Sequence, residues 1–218
     1  MLAPQHRIYT CFFLFAVTLG ALFARMPDLQ VALGVDKSEL GLTLIGMSIG
    51  SLISLTLSSP LIARFGVRAT AFLTVLGIAA IFAIIPWLDA APAVFVCFFC
   101  AGLLGGALEI NLNVEIDRIE AQAGRGMMSR AHGFWSLGFF VTALIASGIR
   151  QAGISMQVHM TGTVIAVFAI GGFVIAGIRP APARAQHADA KAQRFALPSL
   201  GLLPLCIIGI AAFLAEGA

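Results

Sequence analysis

The sequence predicts an all-α protein, a polytopic bundle of transmembrane helices in which six spans are followed by the start of a seventh. Of its 218 residues, 60% are hydrophobic and 11% are charged, and the mean hydropathy is +1.00. The hydrophobic core of a single soluble domain would not bury so much apolar surface. The apolar residues also fall into stretches of about twenty, the length at which a helix crosses roughly 30 Å of hydrocarbon.

Short polar connections separate the spans, which we place near residues 8–24, 40–62, 69–88, 93–114, 128–148, 158–178 and 197–218. The first run is a full span that ends in Arg25-Met26-Pro27-Asp28, so we interpret it as a retained helix and not as a cleaved signal peptide. Residues 1–178 then form a six-helix domain, 179–196 a flexible linker rich in alanine, proline and basic residues, and 197–218 a truncated seventh helix. We expect a second half to be missing.

The distribution of basic residues predicts the orientation. With the N-terminus in the cytoplasm, three of the 13 basic residues lie outside (Arg25, Lys37 and Arg150), and the other ten lie inside, as the positive-inside rule requires. These charges are scattered over helix ends and form no basic face with stacking aromatics, which argues against nucleic-acid binding. No G-x-x-x-x-G-K-[ST] motif supports an ATP-driven process.

Several local patterns indicate structure more than chemistry. Small residues recur every four positions in the second span and again in the fourth, which predicts close helix packing (Gly46, Gly50, Ser54 and Ser58; Gly102 and Gly106). Asp36 and Glu39 have the spacing of a capping box at the start of the second span. Cys97 and Cys100 have redox-like or zinc-like spacing, but they lie in an apolar run without further ligands, so we predict packing residues and no metal or cofactor.

The stretch "LEINLNVEID", from Leu108 to Asp117, alternates like a strand, yet an open strand edge cannot face lipid and no other stretch alternates as far. We therefore predict a helix with two polar stripes. At about 100° per residue, Glu109, Asn113 and Asp117 share one face, while Asn111 and Glu115 share the opposite one. Asn111 is expected to bond to a neighbouring helix.

Glu109 and His132 are ionisable residues at matching depth in the membrane. They lie about 8 and 9 Å from the midpoints of the fourth and fifth spans, on the cytoplasmic side. A carboxylate at such depth is costly unless it is protonated, paired or hydrated, so it often marks a transport path. Two alternatives stay open: a site where Glu109 and His132 titrate or bind substrate, and a static hydrogen-bonded clip between two helices. Asn113, one turn from Glu109, is expected to donate a hydrogen bond to substrate or to a helix.

The six spans divide into two sets of three, an arrangement typical of inverted repeats in transporters. This layout, with a basic linker and a seventh helix, resembles the N-terminal half of a major facilitator superfamily transporter. The segment "SPLIARFGVR" is similar to the family's loop motif G-x-L-x-D-R-x-G-x-R: Leu61, Arg64, Gly66 and Arg68 match it, whereas Ser59 and Ala63 replace the glycine and the acid. "RMPDLQVALGV", "RAHGFWSLG" and "LAEGA" resemble a bacterial inner-membrane branch with poorly defined substrates.

The resemblance implies that the first, fourth and seventh helices line a central path, which would place Arg25, Glu109 and Asn113 on it. Aligning "LFARMP" with "FLAEGA" sets Arg25 opposite Glu216, where a salt bridge would close an outer gate in one state. Snorkelling of Arg25 to lipid headgroups is the alternative.

We therefore expect secondary active transport of a small solute, coupled to protons, across the bacterial inner membrane, with the lipid bilayer and the missing half as the other partners. One rival class is a channel or a non-transporting scaffold or receptor, and another is a membrane-embedded enzyme that uses Glu109 and His132 as acid and base. The enzyme would need a nucleophile or a metal cluster, and the sequence shows neither. Sugar, organic acid, drug and peptide substrates remain equally open.

Overall fold

The computed structural model describes residues 2–182 together with 201, 203–204, 207–208 and 211. The chain divides into two compact units, Met1–Ala183 and Arg184–Ala218. In the second unit, the described residues 203–204, 207–208 and 211 are helical. Most of the linker predicted at 179–196 and of the seventh helix, including Glu216, lies outside the described residues.

The first unit is built from helices, and residues 2–182 contain no strand. This confirms the all-α fold class. A π-helical turn, Phe72–Leu76, precedes helix α4 (Gly77–Ile84), and a 3-10 turn, Ile85–Trp87, follows it. The helices are α1 (Pro4–Phe23), α2 (Met26–Leu33), α3 (Lys37–Ala71), α4 (Gly77–Ile84), α5 (Ala91–Ala123), α6 (Met128–Gln151) and α7 (Met156–Ala176).

Five helical segments of the described chain are long and apolar enough to cross a membrane. One of them, Lys37–Trp87, has 51 residues, so a straight helix would be about 77 Å long, more than twice the hydrocarbon thickness. Gly66 interrupts it with φ 78° and ψ 162°, a backbone conformation that only glycine adopts readily. The kink divides the segment into a first arm, residues 37–65, and a second arm, residues 67–87, so the described chain contains six spans, as predicted.

The helix ends follow from local chemistry. In a longer α1, the ring of Pro27 would clash with the carbonyl of Phe23 four residues earlier, and α1 ends at Phe23. Gly34 ends α2 in the left-handed conformation, with φ 64°. Asp36 and Glu39 form the predicted capping box, since the side chain of each accepts a hydrogen bond from the backbone N–H of the other.

The first arm of α3 packs most extensively against α5. A Cβ added to Gly46 would lie 2.7 Å from the carbonyl oxygen of Phe95, and one added to Gly106 would lie 2.8 Å from that of Ser51. Cβ atoms on Gly50 and Gly102 would also collide with backbone of the facing helix. The predicted small-residue stripes are therefore the surfaces through which two helix backbones approach each other.

A second pair, α1 with α6, uses the same device. A Cβ on Gly20 would lie 3.0 Å from the carbonyl oxygen of Phe139, and one on Gly138 would lie 2.8 Å from that of Phe13. In span numbers, α1 and α6 are the first and fifth spans. Exchanging the two sets of three spans turns the first span into the fourth and the fifth into the second. The pair then becomes α5 with the first arm of α3. The two largest interfaces are thus equivalent under the exchange that an inverted repeat requires.

Substituting Gly106 by alanine tests the backbone contact. The added methyl group has no space between Ser51 and Ser54, so we expect a loss of about 1–3 kcal/mol in unfolding free energy. Gly162→Ala on α7 is the matched control, because a Cβ there meets no atom within 4 Å. Thermal unfolding of the purified protein in detergent should show a lower melting temperature for Gly106→Ala alone. Equal melting temperatures would contradict the contact.

Candidate functional site

The alternating stretch Leu108–Asp117 lies within α5, which confirms that it is helical. Its two polar stripes have different environments. Asn111 and Glu115 are buried, both with 0% exposure, whereas Glu109 is exposed. The burial of Asn111 and Glu115 shows that their stripe faces protein.

Asn111 and Glu115 tie α5 to its neighbours. The Nδ2 group of Asn111 donates to the carbonyl oxygen of Val67, 3.0 Å away in the second arm, as the sequence predicted for a bond to a neighbouring helix. Glu115 accepts a hydrogen bond of 2.6 Å from the backbone N–H of Ala181, and its other oxygen lies 3.6 Å from an Arg118 nitrogen. Both residues therefore have a packing role at the end of the bundle near Gly66.

The opposite stripe, predicted to lie on the transport path, is less constrained. Within the described part of the chain, Glu109 has no hydrogen bond or ion pair. Asn113 is partly buried, and among the described atoms its Oδ1 has no hydrogen-bond partner. These two side chains thus present polar groups that the described residues do not satisfy.

His132, the predicted partner of Glu109, is also exposed and packs beside the ring of Phe12, with the ring centroids 5.2 Å apart. No hydrogen bond or ion pair joins Glu109 to His132 in the described region. The reason lies in the helix pairing: α6 packs mainly on α1, and α5 packs mainly on the first arm of α3. Helices adjacent in sequence are not the principal neighbours in space.

The loop motif between the second and third spans forms the kink in Lys37–Trp87. Leu61, Arg64 and Arg68 are exposed, and the Arg64 guanidinium carbon lies 5.6 Å from the centroid of the Phe65 ring. Gly66 supplies the positive φ that reverses the chain. The backbone geometry therefore requires the glycine of the motif, Gly66, while Arg64 and Arg68 stay available at the surface.

Arg25 lies at the opposite end of the bundle and is 2% exposed, which is incompatible with snorkelling to lipid headgroups. Its Nε donates to Nδ1 of His159 at 3.3 Å, and its two terminal nitrogens donate to Asp28 and to the carbonyl oxygen of Ile154, each at 2.8 Å. The ion pair and hydrogen bonds offset the cost of burying the guanidinium. Arg25 thereby joins α2, the turn before α7, and α7 itself.

Asp28 connects this group to α6. One carboxylate oxygen accepts from Arg25, and the other accepts from Nε of Arg150 at 2.8 Å. Burial alone would raise the pKa of Asp28, but the hydrogen bonds and positive charges of Arg25 and Arg150 outweigh it and hold the pKa below its ordinary value of 3.8. Asp28 is therefore ionised at neutral pH. We call Arg25, Asp28, Arg150 and His159 the arginine network.

The arginine network includes three residues to which the sequence assigned no site: Asp28, Arg150 and His159. The three-residue spacing of Arg25 and Asp28 was a usable signal for an ion pair on one helical turn. Arg150 and His159 lie 125 and 134 positions from Arg25 in the chain, and only the packing of α6 and α7 against α1 brings them close. The proposed gate partner of Arg25, Glu216, lies outside the described residues.

The model of the Major Facilitator Superfamily matches residues 8–216. The chain belongs to this superfamily. It is 25% identical over 154 residues to an uncharacterised MFS-type transporter of Yersinia pestis, a match that covers 71% of this chain and 40% of the relative. It is 23% identical over 218 residues to an uncharacterised transporter of Sinorhizobium fredii, covering 100% of this chain and 57% of the relative.

The chain spans about half the length of the curated relatives it matches. No solved structure matches it. Membership of the superfamily, together with the apolar helices, identifies a multi-pass membrane protein. The family and the names of the relatives point to a transporter rather than to an enzyme.

Replacing Asp28 by asparagine tests the arginine network through its pH dependence. Because folding lowers the pKa of Asp28, its charge stabilises the fold above the unfolded value of 3.8, and this stability is lost as pH falls through the lower folded value. We expect the wild type to melt at a higher temperature than Asp28→Asn between pH 7 and pH 5, with a difference that shrinks below about pH 4. Asp89→Asn, in an exposed loop position, is the control. A difference that persists unchanged at the lowest pH would contradict the assignment.

Proposed function

We propose that this chain forms the first half of a secondary active transporter, which moves a small solute across the bacterial inner membrane by alternating access. Its N-terminus is in the cytoplasm, and the second half pairs with it around a site near the middle of the membrane. Transport is coupled to protons through Glu109, with Asn113 and His132 on the same path. The proposal is supported by family membership and by the exposure of Glu109.

The exposed position of Glu109 is the main support for a hydrated path. It lies near the middle of α5, a 33-residue helix whose mean hydropathy over its most apolar window is 2.1. A carboxyl group there would be costly against lipid, so an exposed position implies an aqueous cavity or a polar partner. A partner half and a hydrated path between the two halves would provide both.

Asn113 and His132 belong to the same proposed path. The buried Oδ1 of Asn113 has no hydrogen-bond partner among the described residues, as is also true of Oδ1 of Asn111, and in this proposal it accepts a hydrogen bond from a solute or from the second half. His132 keeps both ring nitrogens free of hydrogen bonds among the described residues. Two ionisable groups and an amide are suitable for binding a proton and a polar solute in turn.

The outer gate is a further part of this proposal. Among the described residues Arg25 bonds to Asp28, His159 and Ile154, and Glu216 lies outside them, so the gate rests on the alignment of "LFARMP" with "FLAEGA". An Arg25–Glu216 bridge would close the outer end in one state, and its loss would open it.

Glu109→Gln tests the proton-coupling role. The protein, as its own gene encodes it, would be reconstituted into vesicles with a pH-sensitive dye inside, and a sugar, a carboxylic acid, a cationic dye and a dipeptide would be added in turn. We expect the wild type to show solute-dependent proton flux for one of these classes. Glu109→Gln should lose the flux, because the amide cannot bind and release a proton.

Asp89→Asn controls for removing a carboxylate elsewhere in the chain. Retained proton flux in Glu109→Gln, with the same pH dependence as the wild type, would exclude Glu109 as the coupling group. Solute uptake that proceeds without proton movement in the wild type would exclude proton coupling while leaving transport intact.

A further inference from the structure

A cavity of about 670 Å³ adjoins the arginine network. Its walls come from the turn between α1 and α2, the end of α6, and the segment that leads into α7. The volume lies in the range of about 300–1,000 Å³ that is typical of small-molecule sites. The cavity lies at the opposite end of the bundle from Gly66, and neither Glu109 nor His132 lines it.

The cavity wall carries a net positive charge. Among the described residues that line it, the charged ones are Arg25, Asp28 and Arg150, two positive and one negative, so the balance is +1. His159 adds no charge to the network while its Nδ1 accepts the hydrogen bond from Arg25, because the ring then carries its proton on Nε2. A wall of this charge favours an anion.

Arg150 provides hydrogen-bond donors suited to an oxyanion. Its Nε donates to Asp28, while its two terminal nitrogens donate to no residue in the described chain. The side chain is 48% exposed, so these nitrogens are open to a ligand. The planar pair of N–H groups matches the two oxygens of a carboxylate or a phosphate.

Arg25 reinforces this charge from within the wall. Arg25 is only 2% exposed, yet it lines the cavity. Two of its N–H groups have no partner among the described residues. Ser155 and Met156, at the start of the 21-residue helix α7, also line the cavity and bring the positive end of the helix dipole to it. Three features on different elements thus favour the same ligand chemistry.

We propose that this cavity binds the carboxylate or phosphate group of a small solute. The guanidinium of Arg150 is the direct ligand, and Arg25 supplies a buried positive charge beside it. Asp28 positions both arginines. The site does not depend on Glu109, on proton coupling or on transport itself, so its test is a binding measurement.

Binding would be measured by calorimetry on the purified protein in detergent at fixed ionic strength. The probes are benzoate, inorganic phosphate and the neutral amide benzamide. We expect saturable binding of benzoate or phosphate and none of benzamide. Arg150→Gln should weaken the binding of the anion by about tenfold or more, because it removes charged hydrogen-bond donors. Arg68→Gln, the same change at an exposed site near Gly66, should bind as the wild type does.

A second variant covers the case in which Arg150→Gln disturbs the fold. Ser147→Asp adds a negative charge to the cavity wall and leaves Arg25, Asp28 and Arg150 in place. Ser147→Asp should also weaken anion binding. Its elution profile in size-exclusion chromatography should match that of the wild type, which shows that the fold is kept. Anion binding that is equal in the wild type, Arg150→Gln and Ser147→Asp would overturn the proposal.

Phospholipid headgroups share this chemistry, so a third measurement separates the sources. A short-chain phosphatidylglycerol is titrated under the same conditions. Arg150-dependent binding of the lipid, with no binding of benzoate or phosphate, would overturn the assignment to a solute. Failure of all three anions to bind would overturn the site.

Discussion

The close approach of helix backbones at glycine is the constraint on which the rest of this structure depends. Within a membrane the hydrophobic effect does not drive helices together, so contact area and shape must do so. Gly46, Gly50, Gly102 and Gly106 bring the first arm of α3 against α5, and Gly20 and Gly138 do the same for α1 and α6. These two pairs are equivalent under the exchange of the two three-helix sets, as an inverted repeat requires.

This pairing determines where the polar residues lie. With α5 held against α3, one of its stripes is buried and bonds to Val67 and Ala181, while the stripe with Glu109 remains exposed. With α6 held against α1, Arg150 reaches Asp28 and thereby completes the arginine network. One set of contacts therefore produces both an exposed ionisable group within a span and a positively charged cavity at one end.

Local features could be predicted from the sequence because neighbouring residues determine them. The capping box of Asp36 and Glu39, the small-residue stripes and the helical geometry of Leu108–Asp117 all follow from spacing within one helix. Partners across helices could not be predicted in this way. Glu109 and His132 have matching depth in sequence-adjacent spans, but depth does not specify which helices pack together, and the partners of Arg25 depend on the position of α7. Periodicity identifies the face of a helix, whereas its neighbour depends on the whole bundle.

The central claim is that Glu109 and His132 face an aqueous path and not lipid. The most direct test is modification of Glu109→Cys and His132→Cys by a charged, water-soluble thiol reagent in intact membranes, in a protein whose four native cysteines are replaced by alanine. Phe173→Cys on α7, where the native side chain is apolar and 72% exposed, is the comparison position. The account predicts rapid modification of the cysteines at 109 and 132 and slow modification at 173. Equally slow modification at all three positions would contradict it.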